Sequence, residues 1–400
     1  MTDAKPWLTI IGIGEDGPAG LSAASRAAIA AADLVAGADR HLALLGETTA
    51  ETLAWPVPFA DGIPLLLAHR GRRVVMLASG DPFWFGAGTV VTRDLAPAEW
   101  VAHPAPSTFA LAAARLGWPL EDTTCLGLHA APLERLRPHL APARRLLVLL
   151  RDGEAVADIG DYLRRAGFGA SQLTVMEALG GLRERIRTLR ATDAVPADIA
   201  HPVAVAVAVA GNGAVLPLAS GRPDDWFLHD GQITKRAIRA LTLSALAPRP
   251  GEMLWDIGTG SGSIAIEWLL AHPSTAAIGI EADETRATRA RANAVALGAD
   301  RLRIIEGRAP DALADLPDPQ AVFIGGGLSD ALLDDLWQRL SPGTRLVTNA
   351  VTLESESLLA RRHAAHGGTL LRLDLSLATP IGRRRGWRAS HPIVQWSITR

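Results

Sequence analysis

The sequence predicts an α/β protein built from two successive units, and three observations predict it. Apolar strand patterns alternate with helical ones in both halves of the 400-residue chain. Each half has a strand that runs directly into a glycine-rich turn, Gly12–Gly17 in the first and Gly258–Gly262 in the second. Between the halves, residues 211–226 mix Gly, Asn, Pro, Ser and Asp with little periodicity, which marks a linker. We therefore expect a first domain over residues 1–210 and a second over 227–400, a division that suits a chain of this length.

Composition narrows the function classes. With 48% apolar and 20% charged residues, this is an ordinary globular chain. Its formal net charge is −2, and neither half carries the basic excess of a nucleic-acid or anionic-membrane binder. Only Lys5 and Lys235 are lysines, so nearly all the basic residues are arginines. Genomic base composition explains that bias, but arginine also grips carboxylates bidentately. The single cysteine, Cys125, excludes an internal disulfide framework and fits a reducing cytoplasm. The chain reaches the apolar run Leu8–Ile13 without a basic region or cleavage pattern, so no signal peptide is expected. The uncharged stretch Pro202–Gly221 is broken by Gly211, Gly213 and Pro217. Its Val203, Val205, Val207 and Val209 alternate with alanines, the pattern of a strand rather than a membrane helix.

In the first half the expected strands are Leu8–Ile13, Arg73–Ala78, Leu146–Leu150, Leu173–Glu177 and Val203–Val209, with a helix over about Leu21–Ala32. Such alternation implies βαβ units and a mainly parallel sheet. In the second half a helix over Ile233–Leu246 leads into the strand Met253–Ile257. Further strands are expected at Ala277–Glu281, Leu302–Glu306, Ala321–Ile324 and Arg345–Thr348, each followed by a helical pattern. The last two, Thr369–Leu377 and Pro392–Thr399, have an Arg-rich loop between them and no helix, so they should pair antiparallel. Five alternating strands and a terminal hairpin make the seven-stranded layout of Rossmann-like methyltransferases. No short-period repeat is present.

The turn Asp256-Ile257-Gly258-Thr259-Gly260-Ser261-Gly262 follows a strand and opens a helix, where glycines let a ligand approach free backbone N–H groups. A dinucleotide fingerprint requires G-x-G-x-x-G. Here Ser263 stands at its third glycine, and the G-x-G-x-G spacing with a preceding acid favours S-adenosylmethionine. Glu281 ends the next strand, where a carboxylate can accept hydrogen bonds from both ribose hydroxyls. Glu306-Gly307-Arg308-Ala309-Pro310 follows the third strand, where the adenine would sit. The fourth strand ends in Phe323-Ile324-Gly325-Gly326-Gly327 and lacks the Asn/Asp-Pro-Pro-aromatic run of enzymes that methylate exocyclic nucleobase amines.

Gly12, Gly14 and Gly17 satisfy G-x-G-x-x-G, but no acid ends a second strand where a dinucleotide ribose would need it. The stronger signals are Leu77-Ala78-Ser79-Gly80-Asp81-Pro82-Phe83 after a strand and Pro104-Ala105-Pro106-Ser107-Thr108 before the helix Phe109–Leu116.

These three segments resemble the signature of the tetrapyrrole (class III) methyltransferases, two-lobed α/β enzymes that bind S-adenosylmethionine between their lobes. The run Asp224–Arg236, the turn Asp256–Gly262, Glu281, Gly307–Pro310, Gly325–Gly327 and Asn349–Glu354 resemble the decarboxylating precorrin methyltransferases. Together the two resemblances cover nearly the whole chain. Two departures stand out: Glu15-Asp16-Gly17 where many class III enzymes have Pro-Gly-Asp, and Ala105 where a glycine is usual.

The resemblance implies methylation of precorrin-6B at C5 by the first domain. It implies methylation at C15 and decarboxylation of the ring-C acetate by the second, giving precorrin-8 in cobalamin biosynthesis. It implies one S-adenosylmethionine site per domain and no metal. Gly14, Gly80, Asp81, Pro82, Ser107 and Thr108 would line the first site. Thr234, Asp256, Gly258, Thr259, Gly260, Ser261, Gly262, Glu281 and Ala309 would line the second. His229 and Asp230 are candidates for proton handling, with a helix-capping role open for Asp230. Arg383-Arg384-Arg385 is a candidate clamp for substrate carboxylates, although such a charge run is more often a solvated loop. His363 and His366 have helical spacing and form no ligand set. A homo-oligomer is expected, with no nucleic-acid or membrane partner. The alternatives are the same reactions on a cobalt-precorrin, a tRNA methyltransferase, a dinucleotide oxidoreductase and a non-catalytic S-adenosylmethionine sensor.

Overall fold

The structure, a computed structural model, describes residues 6–400, so Lys5 and the first part of the segment read for a leader lie outside the described residues. The chain divides into two compact units. The first runs up to Leu133 and resumes over His139–Ala214; the second takes Glu134–Pro138 and Val215–Arg400. Val215–Trp226 is therefore part of the second unit and not a free linker. Leu216 is buried in its core, and the backbone N–H groups of Gly221 and Arg222 donate to the buried carboxylate of Glu267 at 2.7 and 2.9 Å.

The first unit holds two sheets. Strands β1 (Leu8–Ile13), β2 (Leu34–Gly37), β3 (Glu51–Ala54), β4 (Val74–Ser79) and β5 (Trp100–His103) form the first, in the order β3-β2-β4-β1-β5, all parallel. Its central strands are buried on both faces, which is why they read as continuous apolar runs. Leu8, Ile10, Val74 and Met76 pack on one side, and Ile11, Ile13, Val75 and Leu77 on the other. The helix expected over Leu21–Ala32 is shorter, Ala23–Ala30, because the Ser22 side chain accepts from the Ser25 N–H and starts it there.

The second sheet of this unit corrects the expectation of a mainly parallel arrangement. Strands β6 (Thr123–Gly127), β7 (Arg145–Leu149), β8 (Gln172–Glu177), β9 (Arg185–Arg190) and β10 (Val203–Ala208) lie in the order β6-β7-β10-β8-β9. Only β6 and β7 are parallel; the other three pairings are antiparallel. The connection from β8 to β9 is too short for a crossover helix, which forces a hairpin. β9 escapes sequence detection because Arg185, Arg187 and Arg190 interrupt it.

In the second unit, β11 (Met253–Ile257), β12 (Ala276–Glu281), β13 (Arg303–Glu306), β14 (Ala321–Ile324), β15 (Arg345–Ala350), β16 (Thr369–Leu373) and β19 (Ile393–Thr399) make one seven-stranded sheet. Its order is β13-β12-β11-β14-β15-β19-β16, with β19 antiparallel to both neighbours. The Arg-rich segment is not a loop. It forms a separate hairpin of β17 (Ser376–Ile381) and β18 (Arg384–Ala389), which turns at Gly382 with φ +57°. The helix expected from Ile233 begins at Arg236, since Gly231 and the turn closed by Asp230 hold the preceding residues irregular. No helix among the described residues is long and apolar enough to cross a membrane.

Candidate functional sites

In the first unit, β1 and β4 are paired so that Gly12 faces Ala78 and Ile13 faces Ser79. The chain leaves β4 through Gly80 at φ +51°, whose N–H donates to Ile13 at 3.1 Å and whose carbonyl accepts from Ala105 N–H at 3.1 Å. A Cβ on Gly12 would stand 1.8 Å from the Gly80 carbonyl oxygen and 2.5 Å from the Ala105 nitrogen. The three signature segments are thus in backbone contact at the carboxyl ends of a parallel sheet, the place where open α/β sheets bind ligands.

Around that contact, Ser107 is buried and caps the helix Thr108–Leu116, its Oγ accepting from Ala110 N–H at 3.1 Å. Asp81 Oδ1 accepts from Phe83 N–H at 2.8 Å, and Pro82 is buried against Gly86 and Gly88. Gly14 lies beneath the Asp16 carboxylate. Gly14, Gly80, Asp81, Pro82, Ser107 and Thr108 line the turns that follow β1, β4 and β5 and leave backbone and hydroxyl groups for a polar ligand. Sequence reasoning missed the polar cluster beside them. The nearly buried carboxylate of Glu15 is paired with Arg40 and, at 3.0 Å, with Arg183. Ser79 Oγ lies 2.8 Å from both Arg40 Nη2 and His41 Nε2. Burial, aided by the Arg40 charge, pushes His41 down to about 4. The one signal for this cluster was the unusual Glu15-Asp16-Gly17.

In the second unit, Gly258 at φ +70° brings its turn against the one that follows β14. A Cβ there would meet the Gly326 nitrogen at 2.6 Å. Asp256 is a buried brace for this turn and not a surface contact. Its Oδ2 accepts from Thr259 Oγ1 at 2.8 Å and from Ala265 N–H at 3.1 Å, while its buried Oδ1 has no partner. Burial pushes Asp256 up to about 6, with the Glu281 charge adding to the effect. Glu281 accepts from Gly260 N–H at 2.9 Å through one oxygen and from Ala282 and Asp283 N–H through the other. A carboxylate has about four acceptor positions, so three backbone donors fix this one and leave it open to a hydroxyl. Gly307 N–H donates to the Glu281 carbonyl at 2.9 Å, which brings the segment up to Ala309 alongside.

Thr234 stands just before the helix Arg236–Leu246, and its carbonyl accepts from the fully buried guanidinium of Arg239, itself paired with Glu267 at 2.7 Å. His229 Nδ1 accepts from Gly231 N–H at 3.0 Å. Asp230 caps no helix: it accepts from Gln232 N–H and pairs with Arg286 at 2.9 Å and Arg289 at 3.1 Å. These partners hold its carboxyl down at about 2. Buried Asn293, also missed in the sequence, ties this segment to the glycine turn by bonding both backbone groups of Leu228 and the Ser261 carbonyl. Arg383, Arg384 and Arg385 stand exposed on the β17–β18 hairpin, and His366 packs on the Trp337 ring at 4.2 Å.

Both sites fit S-adenosylmethionine by their own features. The absence of a Cβ at Gly12 and Gly258 lets the turns in each unit close on one another, and Glu281 keeps an acceptor position open after its three backbone donors.

Comparison with known proteins agrees with this division. A family profile described as tetrapyrrole (corrin/porphyrin) methylases matches residues 7–194, and one described as a precorrin methyltransferase domain matches residues 225–400. A precorrin-6Y C(5,15)-methyltransferase [decarboxylating] from Sinorhizobium sp. is 50% identical, covering 99% of this chain and 97% of its own. A protein of the same name from Mycobacterium tuberculosis (strain CDC 1551 / Oshkosh) is 40% identical over 98% of this chain and 100% of its own. The cobalt-precorrin-6B C(15)-methyltransferase (decarboxylating) of Salmonella typhimurium is 34% identical over 42% of this chain and 91% of its own.

Proposed function

The chain belongs to the family of decarboxylating precorrin C5,15-methyltransferases, and from that premise we propose a division of labour between its units. The first unit methylates C5 of precorrin-6B. The second methylates C15 and removes CO2 from the ring-C acetate, giving precorrin-8 in cobalamin biosynthesis. Each unit binds its own S-adenosylmethionine, which supplies an electrophilic methyl group on a sulfonium.

One observation carries this reading: each unit has its own pair of glycine turns packed together at the carboxyl ends of parallel strands, Gly12 against Gly80 in one and Gly258 against Gly326 in the other. A methyl transfer between two bound partners asks the protein chiefly to align carbon, methyl and sulfur and to exclude water. In the second unit Glu281 would hold the ribose, while Asn293 holds Leu228 beside the glycine turn and Arg286 holds Asp230 and Gln232 after it. Loss of CO2 leaves an electron pair that the conjugated macrocycle accepts, so the site has to orient the acetate and supply a proton to the ring. Asp230, held down at about 2 by its backbone and arginine partners, suits an orienting anion, and His229 is the candidate donor. The reading includes a homo-oligomer in the cytoplasm; its subunit number would come from scattering mass.

The test is mass spectrometry of the product formed from precorrin-6B and S-adenosylmethionine by the wild type and by Glu281→Ala. Two methyl gains with one CO2 loss in the wild type, and a single C5 methyl in the variant, are expected. A variant that loses both methylations would sink the division into two sites. A wild type that acts only on the cobalt-bearing macrocycle would move the assignment to that substrate.

A further inference from the structure

Glu15, Arg40, His41, Ser79 and Arg183 all belong to the first unit; Glu15 and Ser79 lie within two of the signature segments, Glu15 at a departure from the usual pattern, and the other three lie outside them. Glu15 follows β1, Arg40 and His41 follow β2, and Ser79 ends β4, so three adjacent strands deliver them to one edge of the sheet. Arg183 arrives from the turn before β9.

The charges do not balance. One carboxylate, Glu15, is shared by two guanidiniums. His41 adds no negative charge, and burial keeps it from adding a positive one. The hydrogen-bond directions also leave capacity unspent. Arg40 Nη2 can only donate, so Ser79 Oγ and His41 Nε2 are acceptors toward it. The Ser79 hydroxyl hydrogen is then free to turn either to His41 Nε2 or to a ligand. Arg183 has 63% of its side chain exposed and spends one guanidinium nitrogen on Glu15. The unspent guanidinium nitrogens of Arg183, beside the charge of Arg40 and the Ser79 hydroxyl that Arg40 holds, make a site for a further carboxylate, the anion whose geometry a guanidinium matches.

We propose that Arg40, Ser79 and Arg183 form a carboxylate-binding subsite of the first unit, with Glu15 as the residue that positions both arginines. The inference rests on the reading above, in which this unit methylates a tetrapyrrole bearing acetate and propionate side chains. The same chemistry is present in the amino-acid carboxylate of S-adenosylmethionine, so the experiment has to separate the two sources.

Steady-state C5 methylation would be measured in the full chain carrying Glu281→Ala, which silences the second unit, and compared after adding Arg40→Ala or Arg183→Gln. S-adenosylhomocysteine affinity would be taken by calorimetry on the same proteins. A macrocycle carboxylate predicts that Arg40→Ala raises KM for the tetrapyrrole about tenfold or more, the effect of a lost charge-assisted hydrogen bond, with kcat little changed. S-adenosylhomocysteine affinity should be unmoved, and free guanidinium should restore KM, which it would not do for a misfolded site. Arg183→Gln, at an exposed position that does not threaten folding, should raise KM by a smaller factor. A loss of S-adenosylhomocysteine affinity with KM unmoved would assign the subsite to the methyl donor. Unchanged KM and affinity in both variants would overturn the proposal while leaving C5 methylation standing; absence of C5 product before either arginine is changed would overturn the reading beneath it.

Discussion

Glu281 ends β12 and Asp230 pairs with the helix that follows it, and their neighbours give the two carboxylates different work. Glu281 faces three backbone N–H donors and no guanidinium. Changing it to Gln would turn an NH2 donor toward one of those donors, so the isosteric variant should fail nearly as badly as Ala. We expect Glu281→Gln to weaken S-adenosylhomocysteine binding in the second unit about tenfold or more, read by calorimetry. Retention of wild-type affinity would mean that the carboxylate charge is not used. Asp230 pairs instead with two arginines and is ionised throughout the working range. Asp230→Asn should therefore slow decarboxylation severalfold by loosening Arg286 and Arg289, while the pH–rate profile between about pH 5 and 9 keeps its shape. A limb of the profile that disappears in the variant would return Asp230 to the role of proton donor.

At the scale of elements, the turns were legible and several strands were not. The strands Leu8–Ile13, Met253–Ile257 and Ala321–Ile324 occupy the ranges read from the sequence, because each is a buried run closed by a glycine turn. Glu51–Ala54 and Arg185–Arg190 left no comparable trace: both sit at sheet edges, where half or more of the residues face water and no apolar run forms. The seven-stranded sheet was readable because its helices separate its strands, whereas the sheet from β6 to β10 has a hairpin that periodicity alone does not distinguish from a crossover. The first site's motifs were visible as local strings. Its arginine cluster was not, since Glu15 and Arg183 stand 168 residues apart and only the fold brings them together. The turn at Gly258 yields an element-level prediction. Gly258→Ala places a methyl 2.6 Å from a backbone nitrogen at a φ of +70°, which should abolish C15 methylation and lower the melting temperature of the second unit while C5 methylation persists. Equal loss of both activities would show that the turn serves more than its own unit.

At the scale of the whole molecule, the two units carry buried titratable groups of opposite sign, so acid should act on them in opposite directions. His41 in the first unit ordinarily titrates near 6.5 and is pushed down to about 4 by burial and the Arg40 charge. Folding favours its neutral form, so its contribution is complete above pH 6.5 and is lost as pH falls from there to 4. Asp256 in the second unit ordinarily titrates near 3.8 and is pushed up to about 6, chiefly by burial. Here folding favours the protonated form, so its contribution is complete below pH 3.8 and is lost as pH rises from there to 6. Each shift corresponds to something on the order of 3 kcal/mol across its window. Scanning calorimetry of the full chain between pH 7 and 4.5 would follow both units. His41→Gln should flatten the acid loss of the first transition and leave the second alone. Asp256→Asn keeps the acceptor that serves Thr259 and Ala265 and puts a neutral nitrogen where Oδ1 has no partner. It should gain on the wild type at pH 7 and lose that advantage near pH 4.5. A second transition with the same pH response in wild type and Asp256→Asn would mean that Asp256 is not the titrating brace of its glycine turn.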